Sequence, residues 1–328
     1  MTEANAHNSL SAFSQSLAKA VGRVSPAIVA IEARPRVATS GVVWRDGVIV
    51  STNHTVQRDE EITVQLGDGR RLTANLVGRD PSTDLAVLRV EAEQALGIDP
   101  VTTTAHNELE VGNLTLAVGR IHHGVTASFG IVSALGDKWR TWRGGEIDRL
   151  IRPDVPIFIG FSGGALIDVE GGVIGINTTG LARGAGLTIP ASTVNHVVDT
   201  LLEHGRIARP YLGVTMQPVT LPAELRSKLN LPNETALVML SVEAESPAGR
   251  AGIMLGDVLV RLEGELVADT DDVQTVLNRS QIGETIRASI LRGGELRDVT
   301  LTLAERPGEK VSDCHESRHR WGRSRWRR

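Results

Sequence analysis

A chain of 328 residues is long enough for two or more domains, each with its own hydrophobic core. Hydrophobic residues make up 41% and charged residues 23%, the balance of a soluble globular protein. No run approaches the ~18 consecutive apolar residues of a membrane-spanning helix, so no membrane span is expected. The net charge of −4 divides into +4 on residues 311–328 (six arginines against Asp313 and Glu316) and −8 on the remainder, which excludes a body that binds nucleic acid by charge alone.

Cys314 is the only cysteine, so no intrachain disulfide can form. Along residues 9–22, Leu10, Phe13, Leu17 and Val21 recur at helical spacing and predict an amphipathic helix ending near Gly22. Its apolar face either packs on its own domain or meets another subunit. Val, Ile and Leu then dominate short runs separated by Gly and Asp turns, the pattern of a mainly β protein. Strands are expected at 27–32, 41–44, 48–51, 62–66, 71–78 and 85–90, then at 114–118, 127–135, 165–169, 173–178 and 186–189. Two halves of short strands suggest a pair of β-barrels. A helix from Ala191 to about His204 stops at Gly205, and Arg206–Pro210 reads as a linker. From Tyr211 to about Leu303 strands and helices mix in a second, α+β domain. Beyond Arg306 the loss of periodicity reads as a disordered tail.

One stretch carries a chemical suggestion. In Gly160-Phe161-Ser162-Gly163-Gly164-Ala165 a serine lies between glycines, where the backbone can turn tightly and aim its amides at one spot. Such a turn is commonly nothing more than a turn. A hydroxyl is a poor nucleophile at neutral pH and needs a base, which in turn needs a group to orient it. His54 follows a strand in Ser51-Thr52-Asn53-His54-Thr55-Val56. Asp84 precedes an apolar strand in Asp80-Pro81-Ser82-Thr83-Asp84-Leu85-Ala86-Val87-Leu88, where its carboxylate would be partly buried. Any one of these has an ordinary reading, the histidine as a surface residue and the aspartate as a turn residue. The three together, in this order, are harder to dismiss as coincidence.

The segments Val48–Val56, Gly78–Val90, Ala127–Leu135, Gly160–Ile176 and Gly186–Pro190 resemble the HtrA/Deg family of trypsin-fold serine proteases. There Thr-Asn-x-His-Val-Val carries the base, Thr-Asp-Leu-Ala-Val-Leu the aspartate and Gly-Asn-Ser-Gly-Gly-Pro the nucleophile. The resemblance runs from about Val24 through Leu303. It implies a chymotrypsin-like double β-barrel, with His54 as general base and acid, Asp84 as its orienting partner and Ser162 as nucleophile. Backbone N–H groups of Gly160 and Ser162 would form the oxyanion hole, and no metal or cofactor is called for. Tyr211-Leu212-Gly213-Val214, Ser246-Pro247-Ala248-Gly249 and Leu255-Gly256-Asp257-Val258 look like a PDZ domain. Such domains bind a peptide C-terminus by strand addition, and Tyr211, Leu212, Gly213 and Val214 match the carboxylate loop and the strand after it.

The resulting domains are an N-terminal helical segment 1–23, a protease domain 24–205, a PDZ domain 206–305 and a basic tail 306–328. Phe161 and Ala165 depart from the family's Asn and Pro; the Phe161 ring would narrow the substrate entrance or pack on a neighbouring loop. Residues 156–161, 176–180 and the surroundings of Gly186 would line an apolar primary pocket without an acidic floor, suited to small or medium aliphatic side chains. The stretch 136–145, with Trp139 and Trp142, is either a mobile contact surface or an ordinary loop. His122-His123 lacks a nearby acidic or thiol partner and does not argue for a metal.

The expected function is an ATP-independent serine endopeptidase acting on misfolded or unfolded proteins in quality control, as a homotrimer in keeping with the family. The alternative is a proteolytically inactive peptide-binding scaffold or chaperone. The N-terminus lacks a basic cap followed by an apolar core, so a cytoplasmic location is expected, with the periplasm as the alternative. The Arg/Trp tail reads as a solvated appendage rather than a nucleic-acid or membrane contact.

Overall fold

The computed structural model describes residues 3–35, 37–90, 97–104, 109–121, 124–141, 143–182 and 186–305. His122, His123 and the basic tail therefore lie outside the described residues. The chain divides into two units, 1–207 and 208–328, and the sequence-predicted boundary falls at 205/206.

Helix α1 (Glu3–Val24) opens the first unit, longer than its apolar spacing predicts. Its C-terminal half buries Ala20 and Val24 and packs Leu17 and Val21 on the domain core, whereas Leu10 and Phe13 stay exposed. The expectation that its apolar face packs on its own domain thus holds for the C-terminal turns. The Phe13 ring meets that of Phe129 edge to face, with ring centroids 6.3 Å apart.

Six strands follow: β1 (Ile28–Glu32), β2 (Thr39–Arg45), β3 (Val48–Thr52), β4 (Ile62–Gln65), β5 (Arg71–Asp80) and β6 (Leu85–Val90). They close into a barrel in the order β1-β2-β3-β6-β5-β4. Val29, Ile31, Val43, Ile49, Ile62 and Leu88 fill one of its cores at zero exposure. β-Branched side chains suit this pleated, two-sided burial, which is why the run was legible as strands.

The second barrel comprises β7 (Leu114–Ile121), β8 (Gly124–Gly136), β11 (Leu150–Asp154), β12 (Ala165–Ile167), β13 (Val173–Thr178) and β14 (Leu187–Pro190). It closes as β11-β14-β13-β12-β7-β8, and the short β9 (Trp139–Arg140) and β10 (Glu146–Ile147) pair as a hairpin outside it. Strand β11 escapes a sequence reading because Arg152 and Pro153 break its pattern; the register shifts between those two residues. Helix α2 (Ala191–His204) then buries Val194, Val197, Val198 and Leu201, each worth roughly 1.5–3 kcal/mol in apolar burial. Trp44 Nε1 donates to Asn195 Oδ1 at 2.8 Å, tying α2 to the first barrel.

The second unit has β15 (Pro210–Tyr211), β16 (Val214–Thr220), α3 (Ala223–Leu229), β17 (Thr235–Val242), α4 (Pro247–Arg250), β18 (Val258–Leu262), β19 (Glu265–Leu266), α5 (Thr270–Arg279), β20 (Thr285–Arg292), β21 (Glu295–Thr302) and β22 (Ala304–Glu305). Its main sheet runs β16-β17-β18-β20-β21, and β15 pairs with β22, so Pro210 belongs to this unit rather than to a linker. Asp269 and Asp272 form a capping box at the start of α5. The architecture is mainly β: two closed six-stranded barrels, then an α+β unit. Among the described residues no helix is long and apolar enough to cross a membrane.

Candidate active site

His54 lies just beyond β3, and Asp84 just before β6, its neighbour in the first barrel. Pairing of these strands brings the two residues together. His54 Nδ1 lies 2.7 Å from Asp84 Oδ2, and the His54 amide donates to Asp84 Oδ1 at 2.9 Å. The Asp84 side chain is 5% exposed and that of His54 35%. A buried carboxylate must be supplied with donors, and a third arrives from the other barrel: Thr178 Oγ1 donates to Asp84 Oδ2 at 2.5 Å. With Nδ1–H directed at the carboxylate, the imidazole keeps its Nε2 lone pair for accepting a proton.

Asp84 itself adopts the left-handed conformation, φ 60°, which Asp tolerates better than most side chains. Its carbonyl accepts from the Asn53 amide at 3.0 Å. Upstream, Asp80 accepts from the Ser82 amide at 3.1 Å, from Thr83 Oγ1 at 2.7 Å and from the Ser82 hydroxyl, so the 80–84 turn is organised by its own side chains.

Ser162 is 94% buried on the loop before β12, and its Oγ lies 3.2 Å from Thr179 Oγ1. The hydroxyl makes no hydrogen bond to His54. Thr178, Thr179 and Gly180 nevertheless touch all three residues in succession: Asp84, Ser162 and the His54–Asp84 pair. A Cβ on Gly180 would come within 2.5 Å of Asp84 Oδ2 and 2.8 Å of His54 Nδ1, so only glycine fits there. Reading the sequence placed 176–180 only at the primary pocket; Thr-Thr-Gly at the end of a strand has no local feature that announces contacts with Asp84 and Ser162.

The amides around Ser162 divide into used and unused. Phe161, Gly163 and Gly164 donate to Phe158, Asn177 and Phe161 carbonyls at 3.0, 2.9 and 2.8 Å. The N–H groups of Gly160 and Ser162 donate to nothing among the described residues. Gly160 has φ 96°, a conformation that costs glycine little and turns its peptide away from its neighbour's direction.

Phe161 is 1% exposed and packs with Ala117, Ile151, Val155, Leu166 and Ile174 in the second barrel. Phe158 meets it edge-on, ring centroids 5.4 Å apart. The ring therefore packs inward and does not narrow an entrance. The ground for an inactive scaffold, an obstructing Phe161, is absent. At the expected primary pocket, Ile157 lies against Gly186, where any Cβ would overlap it, and Phe158 and Ile159 are exposed.

Within the stretch 136–145, Thr141 and Gly145 lie against the turn before Asp84. Thr141 Oγ1 donates to the Ser82 carbonyl at 2.6 Å and accepts from the Gly145 amide at 3.1 Å. The β9–β10 hairpin is thereby fastened to the turn that carries Asp84.

In the second unit Tyr211 and Leu212 are buried, Gly213 has φ 77°, and Val214 begins β16. A side chain at Gly213 would overlap Ser246. The Leu212 and Gly213 carbonyls accept from Ala248 and Glu243 amides, both at 2.9 Å, while the N–H groups of Leu212 and Gly213 donate to nothing among the described residues. β16 is the end strand of its sheet and pairs only with β17 among the described strands, leaving its other edge open.

Comparison with known proteins agrees with the fold. A trypsin-like peptidase domain matches residues 39–176, and a PDZ domain matches residues 210–303. A probable periplasmic serine endoprotease, DegP-like, from Brucella suis biovar 1 (strain 1330) is 36% identical over 291 residues, covering 87% of this chain and 56% of the relative. The chain thus spans little more than half the length of that relative. Among solved structures, the HtrA-type protease AlgW with tripeptide is 32% identical at a TM-score of 0.66, covering 89% of this chain and 98% of the other. The serine endoprotease from Yersinia pestis is 29% identical at a TM-score of 0.68, covering 88% and 98%. The chain belongs to the HtrA-type family of trypsin-like serine proteases with a PDZ domain.

Proposed function

We propose that the chain is an ATP-independent serine endopeptidase in which His54, Asp84 and Ser162 act as a triad. The observation that carries this reading is the pair of unused amides, Gly160 and Ser162, flanking a serine near a histidine whose Nδ1 is held by a buried carboxylate. When the Ser162 hydroxyl turns from Thr179 to His54, Nε2 takes its proton as Oγ attacks the scissile carbonyl. The N–H groups of Gly160 and Ser162 bind the oxygen that becomes negative, and the imidazolium then protonates the leaving amine. Asp84 holds the ring in place and stabilises the positive charge that forms on it.

Substrates are unfolded or misfolded proteins cut after small or medium aliphatic residues. Ile157 against Gly186 and the apolar Phe158 and Ile159 support that preference. The second domain captures peptide C-termini: the Leu212 and Gly213 amides take the carboxylate and the open edge of β16 takes the peptide strand. That a relative's structure is described as AlgW with tripeptide supports peptide binding by this fold. Exposed Leu10, Phe13 and Phe129 supply the apolar contact for a homotrimer. We assign the protein to the periplasm in place of the cytoplasm expected from its first residues, on the strength of relatives described as periplasmic.

The test is covalent labelling. A fluorophosphonate probe should label the wild type and leave Ser162→Ala unlabelled, and that variant should lose at least ~10³-fold in turnover of an unfolded protein. A folded wild type that stays unlabelled, even with a C-terminal peptide present, would instead support the inactive scaffold.

A further inference from the structure

The nucleophile belongs to the second barrel, yet both carbonyls that bracket its loop are held by the first. Thr39 and Ser40, adjacent on β2, are each at zero exposure. Ser40 donates twice to the Gly160 carbonyl, from its amide at 2.9 Å and from Oγ at 2.6 Å. Thr39 Oγ1 donates to the Ser162 carbonyl at 2.7 Å. Ser40 is itself fixed: its Oγ accepts from the Arg120 amide at 2.9 Å, and its carbonyl accepts from Ser51 Oγ at 2.7 Å. The approach is close enough that a side chain at Gly163 would overlap the Ser40 carbonyl, and a Cβ on Gly119 would lie 2.7 Å from Ser40 Oγ.

The Gly160 carbonyl shares its peptide plane with the Phe161 amide and the Ser162 carbonyl with the Gly163 amide, so anchoring both fixes the planes on either side of the one that carries the Ser162 amide, and the plane next to that of the Gly160 amide. The chain takes the Gly160 and Ser162 carbonyls inward and leaves the Gly160 and Ser162 amides unused. Donors aimed at a developing charge are effective only when they need no rearrangement at the moment of reaction. We infer that Thr39 and Ser40 are positioning residues that clamp the nucleophile loop from the opposite barrel and keep its two free amides facing the substrate. This rests on the endopeptidase reading and adds to it two side chains that touch neither the base nor the substrate.

The experiment uses the full chain as wild type, Ser40→Ala, Thr39→Val and Thr39→Ser, with Ser162→Ala as control. Five quantities are measured: kcat and KM on a peptide substrate, the fluorophosphonate labelling rate, affinity for a peptide aldehyde, and hydrogen–deuterium exchange of the 157–164 segment. Ser40→Ala and Thr39→Val should lower kcat, labelling and aldehyde affinity together, by about 10–100-fold, with KM within about twofold, because only tetrahedral species use the hole. Thr39→Ser, which keeps the hydroxyl, should restore all three. Exchange in 157–164 should rise in the two disabled variants and nowhere else in the barrels. Unchanged kcat in both variants overturns the clamp, and so does a loss shared equally by KM and by exchange across the whole domain. If the wild type itself is neither labelled nor active, the endopeptidase reading fails. Exchange then still decides whether β2 holds the loop: no local rise overturns the clamp on its own.

Discussion

At position 161 the side chain and the backbone serve different ends. The peptide passes between the two unused amides, while the ring fills the second barrel among Ala117, Val155 and Leu166. Deleting a fully buried aromatic leaves a cavity that a closed barrel collapses into poorly. Phe161→Ala should therefore destabilise the first unit by about 3–5 kcal/mol, read as a fall in the urea midpoint. Phe158, 55% exposed, should cost far less when truncated, which separates the two halves of the aromatic pair. A result with the two equal would mean that the Phe161 ring is not seated in the core.

Among the elements, the β9–β10 hairpin shows how a loop outside the barrels reaches the site. Gly145 passes so close to the Ser82 carbonyl that a methyl group would overlap it, and Thr141 holds the same carbonyl. Gly145→Ala should unseat the hairpin, speed limited proteolysis within 136–147 and lower turnover by disturbing the Asp80–Asp84 turn. A variant with wild-type proteolysis and turnover would show the hairpin to be dispensable. Nothing local announces this contact, because it joins residues about 60 positions apart through a backbone carbonyl. The barrels themselves were readable from β-branched runs and Asp-Gly turns, and His54, Asp84 and Ser162 from short motifs. Strand β11 was hidden by Pro153. Thr178, Thr39 and Ser40 were hidden because a hydroxyl in a strand looks alike whether it meets water or a carboxylate in another barrel.

Taken whole, the molecule has separate cores in its two units, and the second is held partly by charge. Asp257, 2% exposed, accepts from Arg292 Nε at 2.8 Å and Nη2 at 2.6 Å and from the Met254 amide at 2.8 Å. Burial works against the Asp257 carboxylate, but these donors outweigh it and hold its pKa below the ordinary 3.8. The unfolded chain thus takes up that proton more readily than the folded one. The stabilisation is complete above 3.8 and fades as pH falls through the lower folded value. Asp257→Asn should remove that part of the acid dependence and lower the stability of the second unit, because the charge-assisted bonds from Arg292 are lost. Calorimetry should then show its transition moving down while that of the barrels stays; movement of both would mean the two units unfold as one.

The division of the candidate machinery between the barrels has a consequence for the life of the chain. His54, Asp84, Thr39 and Ser40 come from residues 28–90, and Ser162, Gly160 and Thr178 from residues 114–190. A chain emerging during synthesis carries an acid and a base long before it carries a nucleophile. The nucleophile, once made, has no anchored loop until it settles against the earlier half. On the proposed reading, the half made first can cut nothing, and the site is complete only once the second barrel has settled against it.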